Sequence, residues 1–574
     1  MIAEHVHENV WPKGVPFEVK GYDKPLFSIM DDSAREYPDS VYTIFEGAVR
    51  TFSQVRDTSD RVANFLASKG IRHGDRVAVF LPNIPQYPAI FFGILKAGAV
   101  CVTCNPMYKS DELSFQLKDS GARAVFVMDH EILYATACEA VVGTDVETVV
   151  ICNIKSSLPP VKRIFGSILR KVPRAKKHSP GHLMFDREVK KARPEPPPSV
   201  LINSLEDNAL ILYTGGTTGV PKGACLTHAN LLSDVMILYE WIRLGRDDQD
   251  NQAEKIEKGG LHTFLGVLPW YHAFGLTLCM LLSCASASRL VCVPDPRAGK
   301  PPFTDILKFI EKYRVTIMVA VPSIFSAITG HPLTEKFDLS SLMACGSGAF
   351  AISVDVIREF EELTGAIIFE GYGLTETSPV ITANPTNRTQ RKTGTVGLCL
   401  PDVEIKIMDL KVGLQEMPLG KNGEIAVCGP QVMLGYWNQP DENDLVFREI
   451  DGKKFFLTGD IGHIDDDGFV VITDRKKDMI LVSGFNVYPA EIENTLLLHP
   501  GVAMAAVIGV TDPLKGETVK AFVQIKSGSD VLEDDLKIFC KSKLVGYKCP
   551  KEIEFREKLP VSVIGKVLRR ELRE

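Results

Sequence analysis

Short apolar runs alternate with amphipathic segments along the chain from about residue 75. Val77–Leu81 and Ala124–Met128 are typical of buried strands, whereas the apolar spacing of Pro88–Ala97 predicts a helix that ends at Gly98. A second helix is predicted with Ser110 as its cap. Strands separated by helices predict parallel sheets covered by helices. The same rhythm predicts strands at Ala99–Thr103, Ala209–Tyr213, Val315–Ala320, Leu342–Cys345 and Ala366–Glu370.

The pattern changes near residue 395. From there to about residue 472, short apolar runs are separated by Gly- and Asp-rich turns, such as the turn at 465–468, which predicts a small β-rich unit. A charged stretch at 474–478 follows. The last segment mixes helical and strand patterns and predicts a separate α+β lid.

The composition is that of an ordinary globular protein with more than one domain. The chain is 45% hydrophobic and 24% charged, and this composition excludes wholesale disorder. Its length of 574 residues is more than one compact core holds. Lys and Arg total 65 against 72 Asp and Glu, a net charge of −7 that gives no general attraction to nucleic acid. The 13 cysteines, with no secretory signal at the N-terminus, predict reduced thiols in a cytoplasmic protein. Cys101 and Cys104 are predicted to be buried structural thiols.

One uncharged stretch, residues 261–288, is long enough to span a membrane. Pro269, His272 and Gly275 interrupt it. A core strand at Thr263–Leu268, followed by a loop and a helix, is the better interpretation, and we expect a soluble chain.

A basic segment lies between Lys155 and Lys177, with eight Lys or Arg residues and no acid. Two interpretations stay open: a basic amphipathic helix on an anionic membrane surface, or a solvated helix packed on the domain. The first would place this cytoplasmic protein at the inner face of the cell membrane. A Pro-rich linker is predicted at 194–198. Apolar residues recur in the basic segment at helical spacing: Val161, Ile164, Phe165, Ile168 and Leu169.

The strongest local motif is the loop Tyr213–Gly223, directly after an apolar strand. Its glycines let the backbone approach a ligand closely, its amides and hydroxyls can cradle oxyanions, and Lys222 supplies positive charge. This chemistry suits a nucleoside triphosphate. Pro221 excludes a Walker A loop, which requires glycine before the lysine. Gly346–Ala351 nominally fits a dinucleotide pattern, but a turn between strand and helix explains it equally well.

Further motifs follow this loop in a fixed order, and together they resemble the adenylate-forming superfamily, which includes acyl-CoA synthetases, firefly luciferase and adenylation domains. The resemblance covers nearly the whole chain. Gly429–Trp437 and Ile480–Pro489 look most like bacterial long-chain fatty acyl-CoA synthetases, and the basic 155–177 segment resembles an insertion in that group. The ordered motifs are Leu268–Gly275, Glu370–Thr377, Thr458–Asp460, Asp474–Asp478, Leu559–Pro560 and Gly565–Arg570.

The resemblance implies an α/β fold with a large N-terminal domain over residues 1–475. That domain would hold two parallel-type α/β subdomains and a small β-barrel-like subdomain at about 395–472. A mobile α+β C-terminal domain would span residues 476–574 and rotate about a hinge at Lys477. The oligomeric state is left open, with a homodimer as one alternative.

The implied reaction has two steps. A carboxylate attacks the α-phosphorus of ATP to give acyl-AMP and pyrophosphate, and the thiol of coenzyme A then displaces AMP. A long-chain fatty acid is the preferred substrate. Medium-chain, alicyclic and aryl acids stay open, because Ser347 and Phe350 stand where relatives more often have Gly and Met or Pro. Two rivals are transfer to a carrier-protein thiol and a non-catalytic nucleotide-binding membrane scaffold; the scaffold would be expected to have lost Glu376 or Lys566, and both are intact.

Site roles follow from the same resemblance. Lys566 would be the main catalytic residue, contacting the carboxylate and the α-phosphate, and His272 would lie where the acyl group enters. Glu376 and the Thr214 hydroxyl would hold Mg²⁺, and Asp460 would accept hydrogen bonds from the ribose hydroxyls. The phosphate loop would comprise Thr214, Gly215, Gly216, Thr217, Thr218, Gly219 and Lys222. The adenine slot would comprise Gly346, Ser347, Gly348, Ala349, Glu370, Gly371, Tyr372 (stacked on the base) and Gly373. Other contacts with nucleotide or coenzyme A would come from Thr375, Arg475, Lys477, Ser483, Gly484 and Phe485.

Overall fold

The computed structural model describes residues 10–168, 172–214, 221–244, 258–259, 262–410, 413, 415–482, 485–512, 516–526, 528–561 and 567–573. The α-helices in these ranges are α1 (Ser28–Glu36), α2 (Phe52–Ser68), α3 (Gln86–Lys96), α4 (Ser110–Ser120), α5 (Glu131–Ala140), α6 (Pro160–Ile168), α7 (Phe185–Lys191), α8 (His228–Leu244), α9 (Ala273–Gly275), α10 (Leu282–Ala285), α11 (Thr304–Tyr313), α12 (Pro322–Thr329), α13 (Val354–Thr364), α14 (Pro440–Val446), α15 (Pro489–Leu497) and α16 (Glu533–Lys543).

The strands of the first part of the chain are β1 (Val41–Phe45), β2 (Ala48–Thr51), β3 (Arg76–Phe80), β4 (Val100–Thr103), β5 (Ala122–Met128), β6 (Thr148–Cys152), β7 (Leu183–Met184), β8 (Asn208–Thr214), β9 (Lys222–Thr227), β10 (Thr263–Gly266), β11 (Arg289–Cys292), β12 (Ile317–Ala320), β13 (Ala344–Ser347), β14 (Ile367–Gly373), β15 (Val380–Ala383) and β16 (Leu398–Cys399). The later strands are β17 (Glu404–Met408), β18 (Gly423–Cys428), β19 (Gly435–Tyr436), β20 (Phe447–Ile450), β21 (Lys453–Ile464), β22 (Val470–Arg475), β23 (Ile480–Val482), β24 (Phe485–Val487), β25 (Val502–Asp512), β26 (Gly516–Ile525) and β27 (Glu552–Phe555).

Two large sheets form the body of the molecule. The eight-stranded sheet has the order β19-β9-β8-β4-β3-β5-β6-β7, parallel from β8 to β7 and antiparallel at β9 and β19. The nine-stranded sheet has the order β16-β15-β14-β13-β12-β10-β11-β1-β2, parallel from β14 to β1. Strands β4 and β12 are buried along their whole length, which explains why they appear in the sequence as unbroken apolar runs. The predicted parallel α/β architecture is confirmed.

Two smaller sheets follow. Strands β17-β18-β21-β20, with β22 paired to β21, make an antiparallel sheet within the predicted β-rich unit. Strands β24-β23-β26-β25, with β27 beside β26, form the last sheet, and α15 and α16 pack together against its core. The main hydrophobic core extends as far as Val470, and a separate core begins at Ile480. The chain therefore passes from one core to the other between Arg475 and Ile480.

The strand, loop and helix predicted for the uncharged stretch and the predicted burial of Cys101 and Cys104 are confirmed. Residues 263–285 form β10, α9, a π-helix at Leu276–Leu281 and α10, with Cys101 and Cys104 fully buried elsewhere in the core. In the part of the chain that the structure describes, no helix combines the length and the apolar character needed to cross a bilayer. The predicted cap at Ser110 is wrong by one residue. Lys109 takes the cap position because its backbone N–H donates to Glu112 Oε2 at 2.9 Å, and Ser110 is already helical.

The basic segment contains α6, and three of its apolar side chains are exposed. Val161, Ile164 and Phe165 are 66%, 56% and 60% exposed. Beyond residue 171 the chain returns to the body, where the Ala175 N–H and the His178 Nε2 lie 2.8 and 2.9 Å from the buried Asp129 carboxylate. The segment that follows α6 is therefore anchored to the body, while these three apolar side chains of α6 remain exposed.

Candidate active site

The base of the phosphate loop lies where β8 ends and β9 begins. Thr214 and Lys222 are direct partners in this antiparallel pair. The Lys222 ammonium lies 2.6 Å from Glu442 Oε2 and 5.4 Å from the centre of the Tyr436 ring. A positive charge is therefore held at the mouth of the loop. The predicted loop residues between the two strands lie outside the described residues: Gly215, Gly216, Thr217, Thr218 and Gly219.

Glu376 lies in the short 3-10 turn Thr375–Thr377 that follows β14, and this turn packs against β9. Glu376 is only 8% exposed, and the Tyr436 hydroxyl donates a hydrogen bond to Glu376 Oε1 at 2.8 Å. Burial raises the pKa of Glu376, while the Tyr436 hydrogen bond and the charge of Arg475 oppose that rise. Tyr436 thus links the carboxylate to the Lys222 ammonium.

The oxygen donors at this place suit Mg²⁺. The Glu376 carboxylate and the Thr214 hydroxyl are hard oxygen ligands of the kind this ion prefers, together with phosphate oxygens and water. Among the described residues, no three His, Cys, Asp or Glu side chains are grouped so that they could hold a metal by themselves. The residues present therefore fit a Mg²⁺ ion that arrives with a nucleotide.

Asp460 is the centre of a second polar cluster. Strands β21 and β22 place Asp460 opposite Arg475, whose Nε lies 3.0 Å from Asp460 Oδ1. The Tyr372 hydroxyl donates to Asp460 Oδ2 at 2.7 Å. Each carboxylate oxygen keeps a further lone pair, so ribose hydroxyls can still donate to it. Tyr372 lies on β14 and Glu376 lies in the turn directly after it, so β14 and that turn carry members of both clusters.

The residues predicted for the adenine slot lie at and just beyond the carboxyl ends of β13 and β14. Ser347 and Glu370 are register partners there, and both are buried. Ser347 Oγ and Glu370 Oε2 have no hydrogen-bond partner among the residues that are described. Burial raises the pKa of Glu370 to about 7. Two orphaned polar atoms at the carboxyl edge of a parallel sheet indicate a ligand that forms hydrogen bonds.

Glycines in these segments permit very close packing. A Cβ atom on Gly373 would lie 1.7 Å from the Pro379 carbonyl oxygen, and one on Gly348 would lie 3.0 Å from Phe274 Cζ. Gly346 and Gly371 lie on β13 and β14, and Ala349 follows with a φ of 75°, a left-handed conformation that costs a non-glycine residue free energy. The contact at Gly348 brings the segment that contains His272 next to the slot.

His272 immediately precedes α9. Its ring centre lies 5.0 Å from that of Tyr271, and burial lowers the pKa of His272 to about 4. The imidazole is therefore neutral near pH 7, where it can donate one hydrogen bond but carries no charge.

The predicted C-terminal site residues are only partly described. Lys477 is exposed in the junction between β22 and β23, and the backbone of Phe485 begins β24. Lys566, Ser483 and Gly484 lie outside the described residues. Their roles stay predictions.

Sequence reasoning did not select Tyr436 or Glu442. Tyr436 lies inside Gly429–Trp437, a motif that indicates the family of the chain but no role for this residue. Its contact with Glu376 depends on the pairing of β19 with β9, where Tyr436 lies opposite Ala224. No spacing or charge pattern in the sequence indicates that pairing.

The chain matches two family descriptions and is similar to curated bacterial ligases. Residues 30–437 match "AMP-binding enzyme", and residues 491–566 match "AMP-binding enzyme C-terminal domain". The chain is 37% identical to a long-chain-fatty-acid–CoA ligase of Bacillus subtilis over 98% of its length and 97% of the relative. It is also 37% identical to ligases of the same name from Escherichia coli and Haemophilus influenzae, over 99% of its length and 97% and 98% of theirs.

Solved structures agree with this match. ATP-bound MatB from Rhodopseudomonas palustris is 28% identical, with a TM-score of 0.77 and coverage of 96% of this chain and 98% of that one. The anthranilate CoA ligase AuaEII in complex with anthranoyl-AMP is 24% identical with a TM-score of 0.80, covering 96% and 97% of the two chains, which supports the fold alone.

Proposed function

This chain belongs to the AMP-binding enzyme family, and we propose that it activates a long-chain fatty acid. The protein is an ATP-dependent, AMP-forming acyl-CoA synthetase. The choice of acid is supported by 37% identity to long-chain-fatty-acid–CoA ligases from three bacteria over nearly the full length of each. The observation that supports the site is that β14 and the turn after it carry members of both polar clusters: Tyr372, which donates to Asp460, and Glu376, which accepts from Tyr436 beside Lys222.

In the first step two anions must meet, so the site has to neutralise charge and hold the reactants in line. We assign the β- and γ-phosphates to the loop that begins at Thr214, with the Lys222 ammonium beside them. Mg²⁺, held by Glu376 and Thr214, would neutralise phosphate charge. Asp460 would accept the ribose hydroxyls. Because Lys222 already pairs with Glu442 at 2.6 Å, the phosphates must displace or share that partner.

The remaining residues complete the first step. Ser347 and Glu370 offer polar atoms to the adenine, in the slot beside Gly346, Gly348, Ala349, Gly371, Tyr372 and Gly373, with Thr375 on the adjoining turn. Arg475 would contact ribose or phosphate while holding Asp460. The neutral His272 would donate a hydrogen bond to the incoming carboxylate or exclude water from it.

For the second step we propose that the chain works as two units, residues 1–475 and 476–574, which rotate about Lys477. Lys566 would face the reacting atoms during adenylation. Ser483, Gly484 and Phe485 would face them during thioester formation and line the path of the pantetheine arm. A hinge needs backbone torsions that can change, and the junction between the two hydrophobic cores supplies such a place.

The acid specificity is tested by pyrophosphate release across saturated acids from hexanoate to stearate, with benzoate included and coenzyme A present. We expect kcat/KM to rise with chain length, because each buried methylene contributes about 0.8 kcal/mol of binding free energy. A maximum at octanoate, or for benzoate, would replace the long-chain assignment with a medium-chain or aryl one. Faster turnover with a carrier protein than with free coenzyme A would favour the carrier-protein route.

We further propose that α6 docks on an anionic membrane at the cytoplasmic face. Its exposed apolar residues Val161, Ile164 and Phe165 are flanked by exposed cations, including Lys155 and Arg174. Apolar side chains at the acyl boundary and basic residues near anionic headgroups act together in such helices. Each basic residue near the surface contributes about 1 kcal/mol of attraction.

The double substitution Ile164→Ser with Phe165→Ser is expected to weaken binding to phosphatidylglycerol-containing vesicles at least about tenfold, because two apolar side chains no longer leave water. Vesicle co-sedimentation measures this loss, and turnover of hexanoate in solution should not change. The control is Leu445→Ser with Ile538→Ser, two residues that are 63% and 67% exposed on other helices. Unchanged vesicle binding in the α6 variant would refute membrane docking through this helix.

A further inference from the structure

Two neighbouring residues at the end of β22 make contacts in opposite directions. Arg475 pairs with Asp460 of β21, inside the sheet to which β22 belongs. Asp474 instead reaches across the junction: its Oδ2 accepts the Ala490 N–H at 2.7 Å, and its Oδ1 lies 3.9 Å from Arg569 Nη1. Ala490 and Arg569 both follow the junction in the chain. The Asp474 carboxylate is therefore attached to one unit and bound by the other.

The contact with Ala490 caps a helix. Helix α15 begins at Pro489, and the side chain of the residue before it, Tyr488, makes no capping hydrogen bond. Because Pro489 has no N–H, the first N–H of the helix is that of Ala490, and it finds its acceptor in Asp474. An acidic side chain at a helix N-terminus satisfies an otherwise unpaired N–H and lies favourably in the helix dipole. Asp474 does this from outside the domain that contains the helix, with its side chain only 2% exposed.

Arg569 is fixed within the C-terminal unit. Its Nε and Nη2 lie 3.1 and 2.7 Å from the two oxygens of Glu493, and its Nη1 lies 2.9 Å from Asp478 Oδ2. Leu572, three residues later, is buried against the core of β25 and β26. These pairs stay together when the unit moves as a body. The contacts of Asp474 do not, because they join opposite sides of the junction.

We propose that Asp474 is a positioning residue that holds the C-terminal unit in the arrangement seen here and is released when the enzyme changes from one half-reaction to the other. The proposal rests on the two-unit mechanism with a hinge at Lys477. Rotation about a bond at residue 477 separates Asp474 from Ala490 and Arg569, while the pairing of Arg569 with Glu493 is kept. Arg569 follows Lys566 by three residues, so the contact also ties the segment after Lys566 to the body.

The test is Asp474→Ala in the full-length enzyme, with two readouts. The first is the distance between fluorophores placed on genetically encoded reactive residues at positions 445 and 538, one on each unit, measured without substrate. The second is the rate of acyl-AMP formation without coenzyme A, divided by the rate of thioester formation from supplied acyl-AMP. Loss of a helix cap changes an equilibrium about fivefold, so we expect the distance distribution to shift and this ratio to change by about that factor.

Asp512→Ala is the matched control. Asp512 is also a buried acid, and its carboxylate lies 3.0 Å from Lys551 Nζ, but both residues belong to the C-terminal unit. It should lower Tm and leave both the distance and the ratio unchanged. Asp474→Asn, which keeps an acceptor oxygen, should restore part of the wild-type ratio. An Asp474→Ala variant with wild-type distances, or with both half-reactions slowed by the same factor, would overturn the proposal. Failure of the proposed function would be recognised separately, as a wild-type enzyme that performs neither half-reaction.

Discussion

Replacing Lys566 with alanine is expected to slow acyl-adenylate formation about a hundredfold to a thousandfold while leaving thioester formation from supplied acyl-AMP largely intact. An ammonium beside both the carboxylate and the α-phosphate neutralises negative charge as it moves between them, and alanine removes that charge without filling its place. Exchange of labelled pyrophosphate into ATP measures the first step. Formation of acyl-CoA from synthetic acyl-AMP measures the second.

Lys558→Ala serves as the control, since Lys558 is an exposed lysine of the same C-terminal unit. It should change neither step. The division of labour between the two half-reactions would be refuted by a Lys566→Ala enzyme that loses both steps to the same extent. An enzyme that still exchanges pyrophosphate at the wild-type rate would remove Lys566 from the mechanism.

Much of the fold could be predicted from the sequence because its central strands are buried on both faces. The predicted strand Ala99–Thr103 is observed at Val100–Thr103, since every residue there faces protein and must be apolar or small. Helix ends are harder to predict than strands. The helix predicted to be capped by Ser110 is capped by Lys109, because the Lys109 backbone N–H donates to Glu112, three residues later. Side-chain identity at one position does not determine that geometry.

Some residues of the candidate site could be predicted from sequence motifs, and others could not. Glu376, Asp460 and Arg475 each lie in a recognisable motif. In the structure Asp460 contacts Arg475 and Tyr372, and Glu376 lies on the turn that follows Tyr372. Tyr436 and Glu442 could not be selected, because their contacts join segments separated by many residues. Lys222 Nζ and Glu442 Oε2 lie 2.6 Å apart only because α14 directly follows the strand that pairs with β9. Pairings of this kind come from the fold, and no local pattern encodes them.

The contacts of Asp474 and Arg475, which point in opposite directions, are a further example of contacts that the sequence alone does not predict. Both residues belong to one charged run, which predicts only a boundary between domains. Alternation along a strand places consecutive side chains on opposite faces of the sheet. At the end of β22 one face meets the N-terminal body and the other meets α15, so two adjacent charges serve different units.

Replacing Glu376 with glutamine is expected to slow adenylation about a hundredfold to a thousandfold, because the amide keeps the shape of the side chain but removes the charge that we propose binds Mg²⁺. The Tyr436 hydroxyl can still donate to the amide oxygen, so the fold around the turn should be kept. Burial already raises the pKa of Glu376, and protonation of the wild-type carboxyl at acidic pH should weaken adenylation in the same direction. Initial rates of pyrophosphate release, measured against Mg²⁺ concentration at saturating ATP and acid, test the charge directly.

The matched variants are Tyr436→Phe and Glu362→Gln. Removing the Tyr436 hydroxyl leaves a buried carboxylate oxygen without its donor, a loss of about 1 to 3 kcal/mol, so adenylation should fall about tenfold and less than in Glu376→Gln. Glu362 is exposed on α13, and its substitution should change nothing. Calorimetric titration of nucleotide with and without Mg²⁺ gives a readout that does not depend on turnover. If Glu376→Gln bound the Mg²⁺ complex of ATP as tightly as wild type and kept the wild-type Mg²⁺ dependence, the metal would have to be held by other groups than this buried carboxylate.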